Sequence, residues 1–246
     1  MSIIQTLRAL GPIDTRGVRR DGLLSWMIVI PMIGALVLRW GLPPLTARLI
    51  ERYAFDLTLY YPALLAYFFV VMTPVIFGTV IGFLLLDEKD DQTLIALQVT
   101  PLSTNQYLAY RIAIPVVLTS VMILVIFPLS GLSALPLTHI LIIGIVAAPL
   151  APLFALYLAA FAQNKVQGFA LIKLSGIVLL LPTFAFFIQS PWELAFGLLP
   201  TYWLMKVYWL LESGQSDVWM YVLVALIYQS VGIGALVRRF DAVMHR

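Results

Sequence analysis

Cysteine is absent from the 246 residues, so disulfides and thiolate chemistry are excluded. Charge is scarce: Asp, Glu, Lys and Arg make up 11% of the chain, against roughly a quarter in a soluble domain. Histidine occurs twice, at His139 and His245. These fall at opposite predicted ends of the chain's membrane segments, so they cannot share one metal. No G-x-x-x-x-G-K-[ST] phosphate loop is present. The two Leu-Ser-Gly triplets, 129–131 and 174–176, lie in apolar segments away from any nucleotide. Acid is missing from the membrane interior as well. Each of the 12 Asp and Glu residues falls in a tail, a connection or the end of an apolar segment. An ion-coupled carrier usually keeps an ionisable group in mid-membrane, despite a cost of about 2.5–3.5 kcal/mol.

What the chain has instead is apolar length. Hydrophobic residues make up 62% of it and its mean hydropathy is +0.99, which makes lipid its natural solvent. Six segments approach the roughly 20 residues needed to cross a hydrocarbon core: 23–40, 62–86, 112–132, 138–162, 168–188 and 218–237. The whole of 1–246 reads as one membrane domain, with no room beside it for a nucleotide-binding domain. Residues 1–21 carry Arg8, Arg16, Arg19 and Arg20 around an apolar pattern at Ile3, Ile4, Leu7 and Leu10. They suit an interfacial helix or a basic tail, and a signal peptide poorly. The segment 41–61, with Arg48, Glu51, Arg52 and Asp56, is too polar to cross and is expected on the outer surface.

Within the spans, Gly78 and Gly82 form a G-x-x-x-G pair that admits a close helix neighbour. Packing within one subunit is preferred over a subunit interface. Pro149 and Pro152 interrupt the fourth span, whose freed carbonyls must find partners inside the protein; a static kink is preferred over a flexing helix. Residues 190–217 break at Pro191 and Pro200 into two apolar halves too short to cross. They suit re-entrant or interfacial outer helices, or an aromatic belt with no transport role. The polar side chains inside the spans are Thr73, Thr79, Thr119, Ser120, Ser175, Thr183, Gln229 and Ser230, read as helix-packing groups.

Basic residues set the orientation. The side holding the N-terminus collects Arg8, Arg16, Arg19, Arg20, Lys89, Arg111, Lys165, Lys173, Arg238, Arg239 and Arg246; the other has only Arg39, Arg48, Arg52 and Lys206. By the positive-inside rule both termini and the loop after the second span are cytoplasmic, in a multi-pass protein of the cell membrane.

That loop is the only dense polar run: Asp87 to Arg111, DEKDDQTLIALQVTPLSTNQYLAYR. Asp91 can cap a short helix with Leu94, Ile95 and Leu97 on one side, ended by Thr100 and Pro101. Ser103 followed by Gln106 is a capping box, which predicts a second short helix lying on the membrane surface until the chain re-enters at Arg111. The acidic cluster with Glu88 and Asp90, the pair Thr93-Leu94, Leu97, the run Thr100-Pro101-Leu102-Ser103 and basic Arg111 resemble the cytoplasmic loop of type-2 ATP-binding-cassette (ABC) exporter permeases. One departure is Gln92, where that family usually has Gly before the Thr. The start GPIDTRGVRRDGLL loosely resembles permeases of drug-export systems.

The resemblance implies an all-α membrane protein of six transmembrane helices. It adds an N-terminal interfacial helix, a coupling helix between spans 2 and 3, and short re-entrant outer helices between spans 5 and 6. It further implies a non-catalytic permease whose loop docks in an ATPase subunit through Glu88, Asp90, Thr93, Leu94, Leu97, Thr100, Pro101, Leu102 and Ser103. The partner binds ATP and Mg, this chain binds no cofactor, and a second permease subunit completes the assembly in membrane lipid; no nucleic acid is involved. The alternatives are a membrane-embedded enzyme acting on lipid, which lacks a catalytic cluster, and a secondary carrier, which lacks the mid-membrane acid. The uncharged interior suits drugs, lipids or peptides equally.

Overall fold

The computed structural model describes residues 3–90, 104–188, 190–215 and 217–244. Their regular structure is entirely helical: α1 (Ile3–Arg20), α2 (Gly22–Tyr53), α3 (Tyr61–Leu65), α4 (Met72–Asp90), α5 (Thr104–Ser130), α6 (Leu137–Ala147), α7 (Leu150–Phe161), α8 (Lys165–Leu180), α9 (Pro200–Glu212) and α10 (Val218–Met244). Among the described residues, six stretches are long and apolar enough to cross a membrane: Gly22–Tyr53, Leu57–Lys89, Gln106–Ser130, Leu137–Phe161, Lys165–Phe187 and Val218–Phe240. The chain is therefore an all-α, multi-pass membrane protein.

Two differences from the sequence expectation stand out. The first span does not stop near Trp40: α2 continues through Pro43 and Pro44 to Tyr53 and ends at Ala54 in the left-handed conformation (φ 52°), whose N–H turns back to Ile50 and Leu49. At 32 residues it is about 48 Å long, against a hydrocarbon core of about 30 Å, so its polar end with Glu51 and Arg52 extends past the core rather than forming a separate surface segment. Likewise the residues before Arg111 are no separate surface helix. α5 starts at Thr104 and runs unbroken to Ser130, with Arg111 in its third turn. Helix-forming residues fill the junction with no breaker, so nothing ends a helix there.

Spans 2 and 4 form the core. Of their most apolar windows, 89% and 67% are buried, against 17% to 28% for the other four. Close approach between these two is made by glycine. A Cβ on Gly78 would strike the Ala151 carbonyl oxygen and sit 3.0 Å from the Phe154 Cβ, and one on Gly82 would lie 2.9 Å from the Leu158 Cδ1. The G-x-x-x-G pair thus packs within the chain. Pro74 has no N–H for the carbonyl of Val70, and the chain passes through a π-turn at Ala66–Val71 before α4 begins.

Span 4 breaks into α6 and α7 at Ala148 and Pro149, where the two prolines remove ladder donors. Between spans 5 and 6 the chain makes two short pieces, a 3-10 segment Pro191–Leu198 and α9. α9 is the more deeply packed: Tyr202, Met205, Val207 and Tyr208 are fully buried. The Trp209 indole donates to the Pro62 carbonyl at 3.2 Å, and the Tyr208 ring lies 5.5 Å from that of Phe127. α9 therefore wedges between the start of span 2 and the end of span 3.

Candidate functional site

The polar run 87–111 is where the sequence concentrates its chemistry. The described structure covers its two ends: Asp87, Glu88 and Lys89 on α4, and Thr104 to Arg111 on α5. Thr93, Leu94, Leu97, Thr100, Pro101, Leu102 and Ser103, with the expected helix 92–99 and the Ser103 half of the capping box, lie outside the described residues. Of Asp90 only the backbone is described, as the last residue of α4.

At the base of the run the side chains close on one another. Arg111 is 2% exposed and is the largest fully buried side chain of the chain's described residues. Its guanidinium reaches two carboxylates from different elements: Nη1 donates to Asp14 of α1 at 2.9 Å, and Nη2 donates to Glu88 of α4. Two phenols from its own helix complete the knot. Tyr107 donates to Glu88, Tyr110 donates to Asp14 at 2.7 Å, and the rings lie 5.3 and 5.6 Å from the guanidinium carbon. The helical repeat explains the arrangement, because positions 107, 110 and 111 share one face of α5. α1 lies against α4: a Cβ on Gly17 would be in ordinary contact with Leu84 of α4 at 3.4 Å.

A second ionic node stands beside the first. Lys165, opening α8, pairs with Asp21 at 2.9 Å and with Asp87 at 3.0 Å. Asp21 is also the N-cap of α2, accepting from the N–H groups of Leu23 and Leu24 at 3.0 and 3.3 Å. The Lys165 hydrogen bond, helped by those N–H groups, holds the Asp21 carboxyl below its usual range. Lys89 donates to the Ala162 carbonyl at 3.3 Å, at the end of span 4. The consecutive residues Asp87, Glu88 and Lys89 thus anchor the start of the polar run to spans 5, 3 and 4 in turn. Glu88, expected among the docking residues, places its carboxylate against Arg111 and Tyr107. The Asp14–Arg111 contact spans 97 residues. The signal for it in the sequence was Asp14 itself, the one acid in α1.

Other polar groups are distributed through the bundle. Thr79 bonds Val75 O at 2.8 Å, Ser175 bonds Leu171 O at 2.8 Å, and the Gln229 amide crosses to Val146 O at 2.9 Å. The Thr79 and Ser175 bonds run back one turn within their own helices, while the Gln229 bond crosses from span 6 to span 4. Among the described residues there is no cluster of three or more His, Asp or Glu able to hold a metal. The arrangement at the loop base ties the start of the polar run to α1, α5 and α8.

Comparison with known proteins places the chain among relatives. Two proteins of Mycobacterium tuberculosis, the fluoroquinolones export permease protein Rv2686c of strain H37Rv and its counterpart MT2760 of strain CDC 1551, are each 36% identical to this chain over 240 residues, covering 97% of it and 95% of the relative. No solved structure matches the chain significantly. These relatives are named for export, in agreement with the resemblance to ABC exporter permeases carried by residues 87–111. The description of the Rv2686c-like fluoroquinolones export permease family matches residues 14–237, from the acid that grips Arg111 to the last turns of span 6, and the chain belongs to that family.

Proposed function

We propose that this chain is the transmembrane subunit of an ATP-driven ABC exporter whose substrates include fluoroquinolone-like drugs. The residues 1–246 form one transmembrane domain of the cell membrane, with both termini and the polar loop in the cytoplasm. A separate ATPase subunit binds ATP and Mg and docks on the loop through Thr93, Leu94, Leu97 and the Thr100–Ser103 run, with Glu88 and Asp90 at the rim. A second permease subunit completes the pathway. The membership in an export-permease family supports the transport half of this reading. The single observation that supports the coupling half is the pair of ionic nodes at the base of the loop, which binds it to α1 and to spans 1, 2, 3 and 5.

In this mechanism, ATP binding closes the ATPase pair and displaces the loop. A flexible attachment would dissipate that movement. Arg111 and Lys165 instead hold the loop's root to several helices at once, so displacement reorients the spans from inward-open to outward-open. α1, amphipathic and basic in its last turn, rests at the cytoplasmic interface. The 3-10 segment Pro191–Leu198 and α9 dip into the outer leaflet as re-entrant elements, sealing the far end. The aromatic groups of the substrate meet an uncharged mid-membrane interior, which suits an amphiphilic drug.

The test is the contact itself. Leu94→Asp or Leu97→Asp puts an unpaired charge into an apolar docking contact, a loss of several kcal/mol, while leaving the spans intact. The expected result is loss of the co-purifying ATPase subunit and of drug-stimulated hydrolysis, with normal membrane insertion. Retention of both at normal levels would make the loop a plain linker.

A further inference from the structure

Span 4 is two helices, and the halves have different neighbours. α6 lies along span 3, where the Ser120 hydroxyl reaches the Gly144 carbonyl at 3.4 Å. α7 is gripped on one side by Gly78 and Gly82 of span 2. On the other it meets span 6, where a Cβ on Gly232 would come 2.9 Å from Leu153. The join is weakly tied along its own backbone. Pro149 and Pro152 have no N–H to give, Ala148 still bonds Gly144 at 3.0 Å, and Ala151 makes only a short-range bond to Ala148 at 3.0 Å.

Across this join lies Gln229, completely buried in the middle of span 6. Its Nε2 donates to the Val146 carbonyl at 2.9 Å and to the Ala225 carbonyl of its own helix at 3.1 Å. The Val146 carbonyl stands one turn before the join. Gln229 Oε1 has no partner among the described residues. A buried acceptor left unpaired is unfavourable, so the Gln229 amide is held here by its donor side alone.

From this geometry we propose that Gln229 is a positioning residue, the catch of a hinge at Ala148–Pro149, holding α6 in line with α7 through Val146 O and releasing it during the transport cycle. The catch is a local structural claim; its part in transport rests on the exporter reading above.

The experiment uses the full chain in nanodiscs, and the chain with its ATPase subunit in cells. Hydrogen exchange is followed at the N–H groups of Ala148, Ala151 and Leu153 in wild type, Gln229→Leu, Gln229→Glu and the control Ser230→Ala, alongside fluoroquinolone efflux. Gln229→Leu should speed exchange at the join by about ten-fold or more, with Gly78 and Gly82 unchanged, and reduce efflux by a similar factor. Gln229→Glu can donate to Val146 O only while protonated, so after correction for intrinsic rates it should match wild type near about pH 6 and approach the Leu variant near about pH 9. Exchange at the join within about two-fold of wild type in Gln229→Leu overturns the catch. If that variant does not fold, Gln229→Glu decides: a pH-independent ratio to wild type overturns it. Faster exchange with unchanged efflux overturns the role in transport. Absence of efflux by wild type with its ATPase subunit would instead count against the exporter reading, and the exchange arm would still decide the catch.

Discussion

Replacing Arg111 by Met should destabilise the chain far more than replacing the whole ionic knot. Arg111 is 1% exposed in its side chain, while its two carboxylate partners are 14% and 22% exposed at Asp14 and Glu88. Removing the cation leaves two carboxylates near one another, with the phenols of Tyr107 and Tyr110 still donating to them. Breaking one side of a buried pair costs about 3–5 kcal/mol. The partial exposure of the acids moves the expectation to the lower end, about 3 kcal/mol. Asp14→Asn alone should cost about 1–2 kcal/mol, because Arg111 keeps Glu88 and loses one charge-assisted bond. The triple variant Asp14→Asn, Glu88→Gln, Arg111→Met has no charge left to compensate and should lie within about 1 kcal/mol of wild type. The assay is reversible denaturant titration of purified chain in micelles, read by the fluorescence of its six tryptophans. An Arg111→Met cost below about 1 kcal/mol, or a triple variant as unstable as the single one, would refute the argument that the knot is a mutually compensated buried cluster.

Gly78→Ala should lower stability by about 1–3 kcal/mol in the same titration, because the new methyl meets the rigid Ala151 backbone oxygen. Gly176→Ala, with nothing within 4 Å of its Cβ position, should be tolerated. Asp21 supplies a pH dependence. Its folded-state pKa is lowered, chiefly by the hydrogen bond from Lys165, so its stabilisation is present above the ordinary aspartate value of about 3.9 and is lost as pH falls through the lower folded value. Wild type should exceed Asp21→Asn in stability near neutrality, and the two should converge in acid; a constant difference across that range would refute the assignment.

The spans were legible because 20-residue apolar runs leave a one-dimensional signal, and Gly78 with Gly82 carried their packing role in their spacing. α2 was misjudged from Gly41 onward because Arg48, Glu51 and Arg52 read as too polar for a span, whereas past the membrane core a helix can carry charge into water. The loop's sequence pattern identified the family. The knot at its base was not legible, since Asp14 and Arg111 lie 97 positions apart and their pairing is made by α1 folding back onto α4 and α5. Gln229 was visible as a mid-span amide, but its partner, Val146 O, is a backbone group exposed by a break in another helix.

The account turns on where the driving energy enters. Inverted membrane vesicles carrying the chain with its ATPase subunit should take up a fluoroquinolone on addition of ATP and Mg, at a rate unchanged by a protonophore. Uptake driven by an imposed proton gradient without ATP, and abolished by the protonophore, would make the chain a secondary carrier and contradict the account.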